Sequence, residues 1–167
     1  MIVIVMGVCG AGKTTVGELI AEALGARFAE GDKFHPAANV EKMSRGEPLT
    51  DDDRWPWLES IGRSIDQWQR DGEDVVIACS ALKAVYRDVL MEGRPGVRLV
   101  YLHGNEALLA ERMAQREHHY MPASLLPSQI ATLEPPAPSD AVLAVDVARP
   151  PEAVAADIMA WIGEVRH

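Results

Sequence analysis

The stretch Gly7-Val8-Cys9-Gly10-Ala11-Gly12-Lys13-Thr14 constrains this chain more than any other. It follows the apolar run Ile2-Val3-Ile4-Val5-Met6 and opens a segment with helical periodicity. A G-x-x-x-x-G-K-T spacing between a strand and a helix is that of a phosphate-binding loop. Glycines let the backbone fold around an anion without interference from Cβ, so several N–H groups can converge on phosphate oxygens. The helix adds the positive end of its dipole at the same place. In such a loop Lys13 reaches the β- and γ-phosphates, the Thr14 hydroxyl ligates Mg²⁺, and Thr15 continues the cradle. The loop therefore predicts binding of a nucleoside triphosphate with Mg²⁺. What receives the phosphoryl group has to be read from the rest of the chain.

Beyond the loop, Val16, Leu19, Ile20, Ala23 and Leu24 recur at helical spacing, and Gly25 stops the helix. Residues 27–30 read as a short second strand that delivers Gly31 and Asp32 to a strand end. Pro36 suits the first turn of a helix running to about Ser44. Gly46 and Pro48 then turn the chain, with Thr50, Asp51, Asp52, Asp53 and Arg54 in the turn. A longer helix is expected from Pro56, with Leu58, Ile61, Ile65 and Trp68 on its inner face. The continuous apolar run 75–79 reads as a parallel strand buried on both faces. Ser80 is expected to cap the helix that carries Lys83 and Arg87 one turn apart.

Residues 97–102 form a fourth strand, and Asn105 caps a helix to about residue 116, with Leu108, Leu109 and Met113 inward. A polar and aromatic break (117–122), a proline-rich loop (134–138), a last strand (141–147) and a closing helix through Val154, Ile158, Trp161, Ile162 and Val165 complete the chain. Strands alternating with helices predict an α/β three-layer sandwich on a mostly parallel sheet. At 167 residues, with no repeat and no linker, the chain reads as a single domain spanning 1–167.

A net charge of −9 argues against nucleic acid or an anionic membrane as partner, because no basic excess exists to neutralise a field of phosphates. Two cysteines make neither a disulfide framework nor a four-ligand zinc set, which points to a reducing, cytoplasmic setting. The first apolar run lacks a basic flank and reads as a strand, not as a signal peptide. No run of about 18 apolar residues is present, so no membrane-spanning helix is expected.

In a parallel sheet, ligands gather at the carboxyl ends of the strands. Asp32, at the end of the second strand, suits the task of orienting and deprotonating an attacking hydroxyl, or of holding Mg²⁺ through water. The third strand ends in Cys79-Ser80 without the usual Walker B acid, so another carboxylate must serve the metal. Lys83, Arg87 and Arg54 are candidates to meet an anionic acceptor, and Arg112 and Arg116 share a helix face suited to neutralising a transferring phosphate. His35 lacks metal-ligand spacing. The four tryptophans read as core, and Cys9 as a small residue fitted to the loop.

Longer signatures then stand out: Asp32-Lys33-Phe34-His35-Pro36, Asn39-Val40-Glu41-Lys42-Met43, Gly46-Glu47-Pro48-Leu49-Thr50-Asp51-Asp52-Asp53-Arg54-Trp55-Pro56-Trp57-Leu58, Cys79-Ser80-Ala81-Leu82-Lys83 with Tyr86-Arg87-Asp88, and His118-His119-Tyr120-Met121-Pro122 through Ser128-Gln129 to Thr132-Leu133-Glu134-Pro135. Together they span nearly the whole chain and resemble the bacterial gluconokinase family. The resemblance implies ATP-dependent phosphorylation of the 6-hydroxyl of D-gluconate to 6-phosphogluconate. It also implies a nucleoside-monophosphate-kinase-like P-loop fold with strand order 2-3-1-4-5, a lid over roughly 112–134, and a homodimer. Carried over by residue, Gly7 to Thr14 take ATP and Mg²⁺, Asp32 meets the acceptor hydroxyl, His35, Arg54, Lys83 and Arg87 lie at the gluconate site, and Arg112 and Arg116 are lid arginines. Cys9, Trp55 and Val85 depart mildly from the signatures.

Shikimate kinase is the nearest alternative enzyme, but the Gly-Gly-Gly stretch of that family is replaced here by Cys79-Ser80-Ala81-Leu82-Lys83. A GTP-driven switch is disfavoured by the lack of an Asn-Lys-x-Asp motif. A non-catalytic ATP-binding regulator is disfavoured by intact Lys13, Thr14 and Asp32.

Overall fold

The alternation of apolar runs and amphipathic segments resolves into five parallel strands: β1 (Ile2–Met6), β2 (Arg27–Glu30), β3 (Val75–Ala78), β4 (Val97–His103) and β5 (Val142–Asp146). They form one sheet in the order β2-β3-β1-β4-β5. Among the described residues, seven α-helices accompany them: α1 (Lys13–Leu24), α2 (Ala37–Ser44), α3 (Asp51–Arg70), α4 (Ala84–Met91), α5 (Glu106–Ala114), α6 (Leu126–Thr132) and α7 (Pro151–Val165). The computed structural model describes residues 1–115 and 123–165.

The pleat of β1 shows why the sheet needs cover on both sides. Ile2, Ile4 and Met6 face one way, into a core shared with Leu58, Ile61 and Ile65 of α3 and Leu90 of α4. Val3 and Val5 face the other way, against Val16 and Ile20 of α1 and Val154, Ile158 and Ile162 of α7. The alternation of period two thus builds two cores, one per face, and the three-layer sandwich follows. No helix among the described residues is long and apolar enough to cross a membrane.

Three local expectations change. The long helix α3 starts at Asp51, not Pro56. Thr50 caps it: its hydroxyl accepts from the Asp53 N–H at 3.1 Å, and the Asp53 carboxylate accepts from the Thr50 N–H at 2.8 Å. This reciprocal pair, with Asp51, Asp52 and Asp53 at the positive end of the helix dipole, outweighs the proline. Pro56 sits in the second turn, where its missing N–H frees only the carbonyl of exposed Asp52. Second, Ser80 does not cap α4, since Lys83 holds that position and Ser80 remains in the loop after β3. Third, Ala23 is exposed and the buried face of α1 is Val16, Gly17, Ile20 and Ala21. The Asn105 cap of α5 is present, its side chain accepting from the Leu108 N–H at 2.8 Å, and the helix ends at Ala114.

Candidate active site

The loop between β1 and α1 enters the helix through Gly12, whose φ of 89° lies in the left-handed region where a Cβ is strained. Lys13 folds back so that its Nζ donates to the Val8 carbonyl at 3.0 Å. The Thr14 hydroxyl donates to Glu30 Oε2 at 2.5 Å. Glu30 is the last residue of β2 and neighbours the P-loop at the carboxyl edge of the sheet. It sets a carboxylate beside the P-loop Thr14, where the end of the third strand offers none. Burial raises its pKa above the ordinary value, with the nearby Asp32 charge adding to the rise and the Thr14 bond and Lys13 opposing it.

Two adjoining grooves open here. The larger runs along residues 9–16 and Glu30 to a far wall made by Arg112 of α5, Gln115 just past its end, Val147 and Arg149 between β5 and α7, and Pro151 and Val154 of α7. The smaller is lined by His35, Leu49, Arg54 and Trp57 on one side and Leu82, Leu125 and Ser128 on the other. Asp32, Ser80 and Gln129 line both. The Gln129 Oε1 accepts the Cys9 N–H at 2.7 Å, which ties α6 to the phosphate loop at this junction.

Among the described residues, Arg54 is the one cation lining the smaller groove. Its Nη1 donates to the Tyr86 hydroxyl at 2.7 Å, and its guanidinium lies 5.2 Å from the centre of that ring. The Tyr86 hydroxyl in turn donates to Asp51, which also accepts from Lys83 Nζ at 3.0 Å. The hydrogen bonds from Tyr86 and Lys83 hold the Asp51 carboxyl below its ordinary pKa. His35 stacks on Trp57, ring centres 4.1 Å apart and planes 17° from parallel.

The structure thus brings Lys13, Thr14, Asp32, His35, Arg54 and Arg112 to the two grooves, and leaves Lys83 and Arg87 outside both linings. Lys83 is committed to Asp51. Arg87 is 8% exposed and spends its guanidinium on main-chain carbonyls: Ala81 at 2.8 Å, Leu82 at 3.1 Å and Glu134 at 2.8 Å. It braces the loop after β3, where Ala81 has a φ of 43°, and the return of the chain from α6. Arg112 reaches the larger groove with its Nη2 on the Val147 carbonyl at 2.6 Å. Arg116 and the 118–122 signature lie outside the described residues. Cys9 and Cys79 are buried and unbridged, and burial pushes the Cys79 thiol up to about 12.

Sequence reasoning missed Glu30, Gln129, Tyr86 and the far wall at 147–154. Glu30 carried a signal, a carboxylate ending a short edge strand two residues before Asp32. The far wall carried none, because its residues meet the loop only through the sheet topology.

Comparison with known proteins bears on the family and the fold. Residues 2–136 match the model of a family described as an AAA domain. The chain is 46% identical over 156 residues to a gluconokinase of Gluconobacter oxydans, covering 93% of this chain and 88% of that one. The crystal structure of a gluconokinase from Sinorhizobium meliloti superposes with a TM-score of 0.87 at 51% identity, covering 98% of this chain and 91% of the other. A shikimate kinase from Aquifex aeolicus shares the fold at a TM-score of 0.62 and 17% identity, covering 98% and 97%.

Proposed function

This chain belongs to the gluconokinase family, and we propose that it phosphorylates gluconate with the residues gathered at its two adjoining grooves. The reaction is ATP-dependent transfer to the 6-hydroxyl of D-gluconate, giving 6-phospho-D-gluconate and ADP. One observation carries the assignment of roles: Asp32, Ser80 and Gln129 line both grooves, so an acceptor in the smaller groove meets the triphosphate of the larger one beside Asp32.

The triphosphate lies along Gly7 to Thr14 and Thr15, with the nucleoside toward Arg149, Pro151 and Val154. The donor set fits Mg²⁺. Thr14 offers a hydroxyl oxygen while donating its proton to Glu30, and Asp32 stands on the same groove. Such a sparse oxygen set suits an ion that keeps its waters and takes its other ligands from phosphates. When bound, Mg²⁺ neutralises charge on the β- and γ-phosphates.

Gluconate lies in the smaller groove with its carboxylate on Arg54, which Tyr86 holds in place, and its 6-hydroxyl at Asp32. That hydroxyl oxygen forms the new bond to the γ-phosphorus, the bond from phosphorus to the ADP oxygen breaks, and the hydroxyl proton passes to the Asp32 carboxylate. Lys13 and Arg112 balance the charge that moves toward the leaving ADP. Lys83 and Arg87 act through others, Lys83 by holding Asp51 and Arg87 by bracing the loop that carries Ser80 and Leu82. The family resemblance implies a lid over roughly 112–134, of which residues 116–122, Arg116 among them, lie outside the described residues. A homodimer is carried by the family resemblance, and a reducing cytoplasm by two unbridged cysteines.

The test is gluconate-dependent ADP release from purified protein with Mg-ATP, set against shikimate, AMP and glycerate. Strong release with gluconate alone is expected. Folded, ATP-binding protein that ignores gluconate refutes the reading.

A further inference from the structure

His35 reaches the acceptor groove with one edge of its ring already committed. Asn39, in the first turn of α2 and 5% exposed, holds its Nδ2 3.2 Å from His35 Nδ1 and 2.8 Å from the Asp53 main-chain oxygen. A main-chain carbonyl only accepts, so the Asn39 atom facing it is the NH₂ group. The other hydrogen of that group is directed at Nδ1, which must therefore accept. In the neutral ring the proton then sits on Nε2, the nitrogen left for the groove.

The same contact resists protonation. An imidazolium would carry N–H on Nδ1 opposite the Asn39 N–H, two donors facing each other beside a buried side chain. Stacking on Trp57, itself pinned by its Nε1 donating to the Gly31 carbonyl at 2.8 Å, holds the ring in its plane, and a half-turn within that plane would give up the Asn39 bond and set Cδ2–H against the Asn39 N–H. Two charges bear on the ring, Asp32 from the turn after β2 favouring the charged form and Arg54 from α3 opposing it. Burial, the largest influence, outweighs Asp32 and with Arg54 brings the His35 pKa down to about 4.

We propose that Asn39 locks His35 as an uncharged Nε2–H donor, and that this donor recognises a chain hydroxyl of the sugar acid in the smaller groove. The proposal rests on the reading that this groove takes gluconate. It makes Asn39 a positioning residue, and it leaves the acceptor proton to Asp32, since a nitrogen that already carries hydrogen cannot take another.

Long-range ¹H–¹⁵N correlation spectra of the imidazoles in the wild-type protein test the lock, with His35→Gln assigning the signal. From about pH 5 to 8 the pattern should stay that of the neutral Nε2–H tautomer. An Nδ1–H pattern, or a protonation midpoint inside that range, overturns the proposal. Kinetics test the recognition. His35→Ala should raise the gluconate KM about 10-fold with the ATP KM unchanged, and His35→Gln, which keeps an N–H, should recover part of the loss. An unchanged gluconate KM in His35→Ala overturns it. Asn39→Asp turns the partner into an acceptor, so its gluconate KM should become pH-dependent as the ring moves its proton to Nδ1. A pH-independent KM with the wild-type tautomer contradicts the assigned role of Asn39. Should Asn39→Asp not fold, the wild-type spectrum and the His35 pair still decide. The spectra require no turnover, so a protein inert toward gluconate would refute the proposed function separately from the tautomer.

Discussion

Replacing Gly31 by alanine should damage catalysis without touching any group that meets a substrate. A Cβ at this position would stand 2.3 Å from the Ala78 carbonyl oxygen and 3.2 Å from Cys79 Cα and Cβ. The first contact is about 1 Å inside van der Waals distance, and the obstacle is main chain of a central strand, which cannot rotate away. On its other side the Gly31 carbonyl accepts from buried Trp57 Nε1 at 2.8 Å. Residue 31 is thus fixed from both sides, between Glu30, which meets Thr14, and Asp32, which lines both grooves. Relief requires the end of β2 to move by about 1 Å, and a displacement of that size at reacting groups costs about 100-fold in rate. Overpacking of this kind destabilises by about 1–3 kcal/mol, or roughly 3–10 °C in Tm for a chain this long. Steady-state ADP release and a thermal melt, run on Gly31→Ala and wild type together, measure both. We predict a fall in kcat/KM of about 100-fold with ATP still protecting against melting. A variant with near-wild-type kcat/KM and Tm would show that β2 and β3 are not the rigid support invoked here.

Two further predictions concern the acceptor groove. Arg54→Gln should raise the gluconate KM about 100-fold while the ATP KM stays within about 3-fold, because a charge partner for the carboxylate is lost and the phosphate loop is untouched. Equal losses for both substrates would count against the placement of the carboxylate. The second concerns stability against pH. The unfolded chain protonates His35 near its ordinary 6.5, whereas the folded protein resists to about 4. As pH falls through that window the unfolded state gains the proton first, and stability drops by up to about 3 kcal/mol. Glu30, with its raised pKa, works in the opposite sense, so the useful measurement is the difference in urea stability between wild type and His35→Gln. The variant should lose this part of the acid slope, and identical slopes would refute the burial of a neutral ring.

Much of the architecture was legible because it depends on local pattern. A glycine-rich loop between an apolar run and a helix has few solutions, and doubly buried strands read as unbroken apolar runs. The strand order, by contrast, came from family resemblance. The start of α3 was misplaced because Pro56 was weighed above the Thr50-x-x-Asp53 pattern, although that pattern is itself a helix-start signal. The site was harder. Asp32 and Arg54 could be named from residue type and position, and the structure brings both to one groove. Arg87 could not be told from a substrate-binding cation, since only tertiary packing shows its guanidinium turned to three main-chain carbonyls. Glu30 was hidden by its own strand, and Asn39 by the fact that an amide between a ring nitrogen and a carbonyl leaves no mark on sequence.

Asp32 at the junction of the two grooves is the centre of this account, and single-turnover transfer by Asp32→Asn tests it most directly. With ATP bound beforehand and gluconate added in rapid mixing, we predict wild-type nucleotide binding, a gluconate affinity within about 10-fold, and a transfer rate lower by at least about 100-fold. Transfer at a rate within about 3-fold of wild type would contradict the assignment of the hydroxyl proton to Asp32.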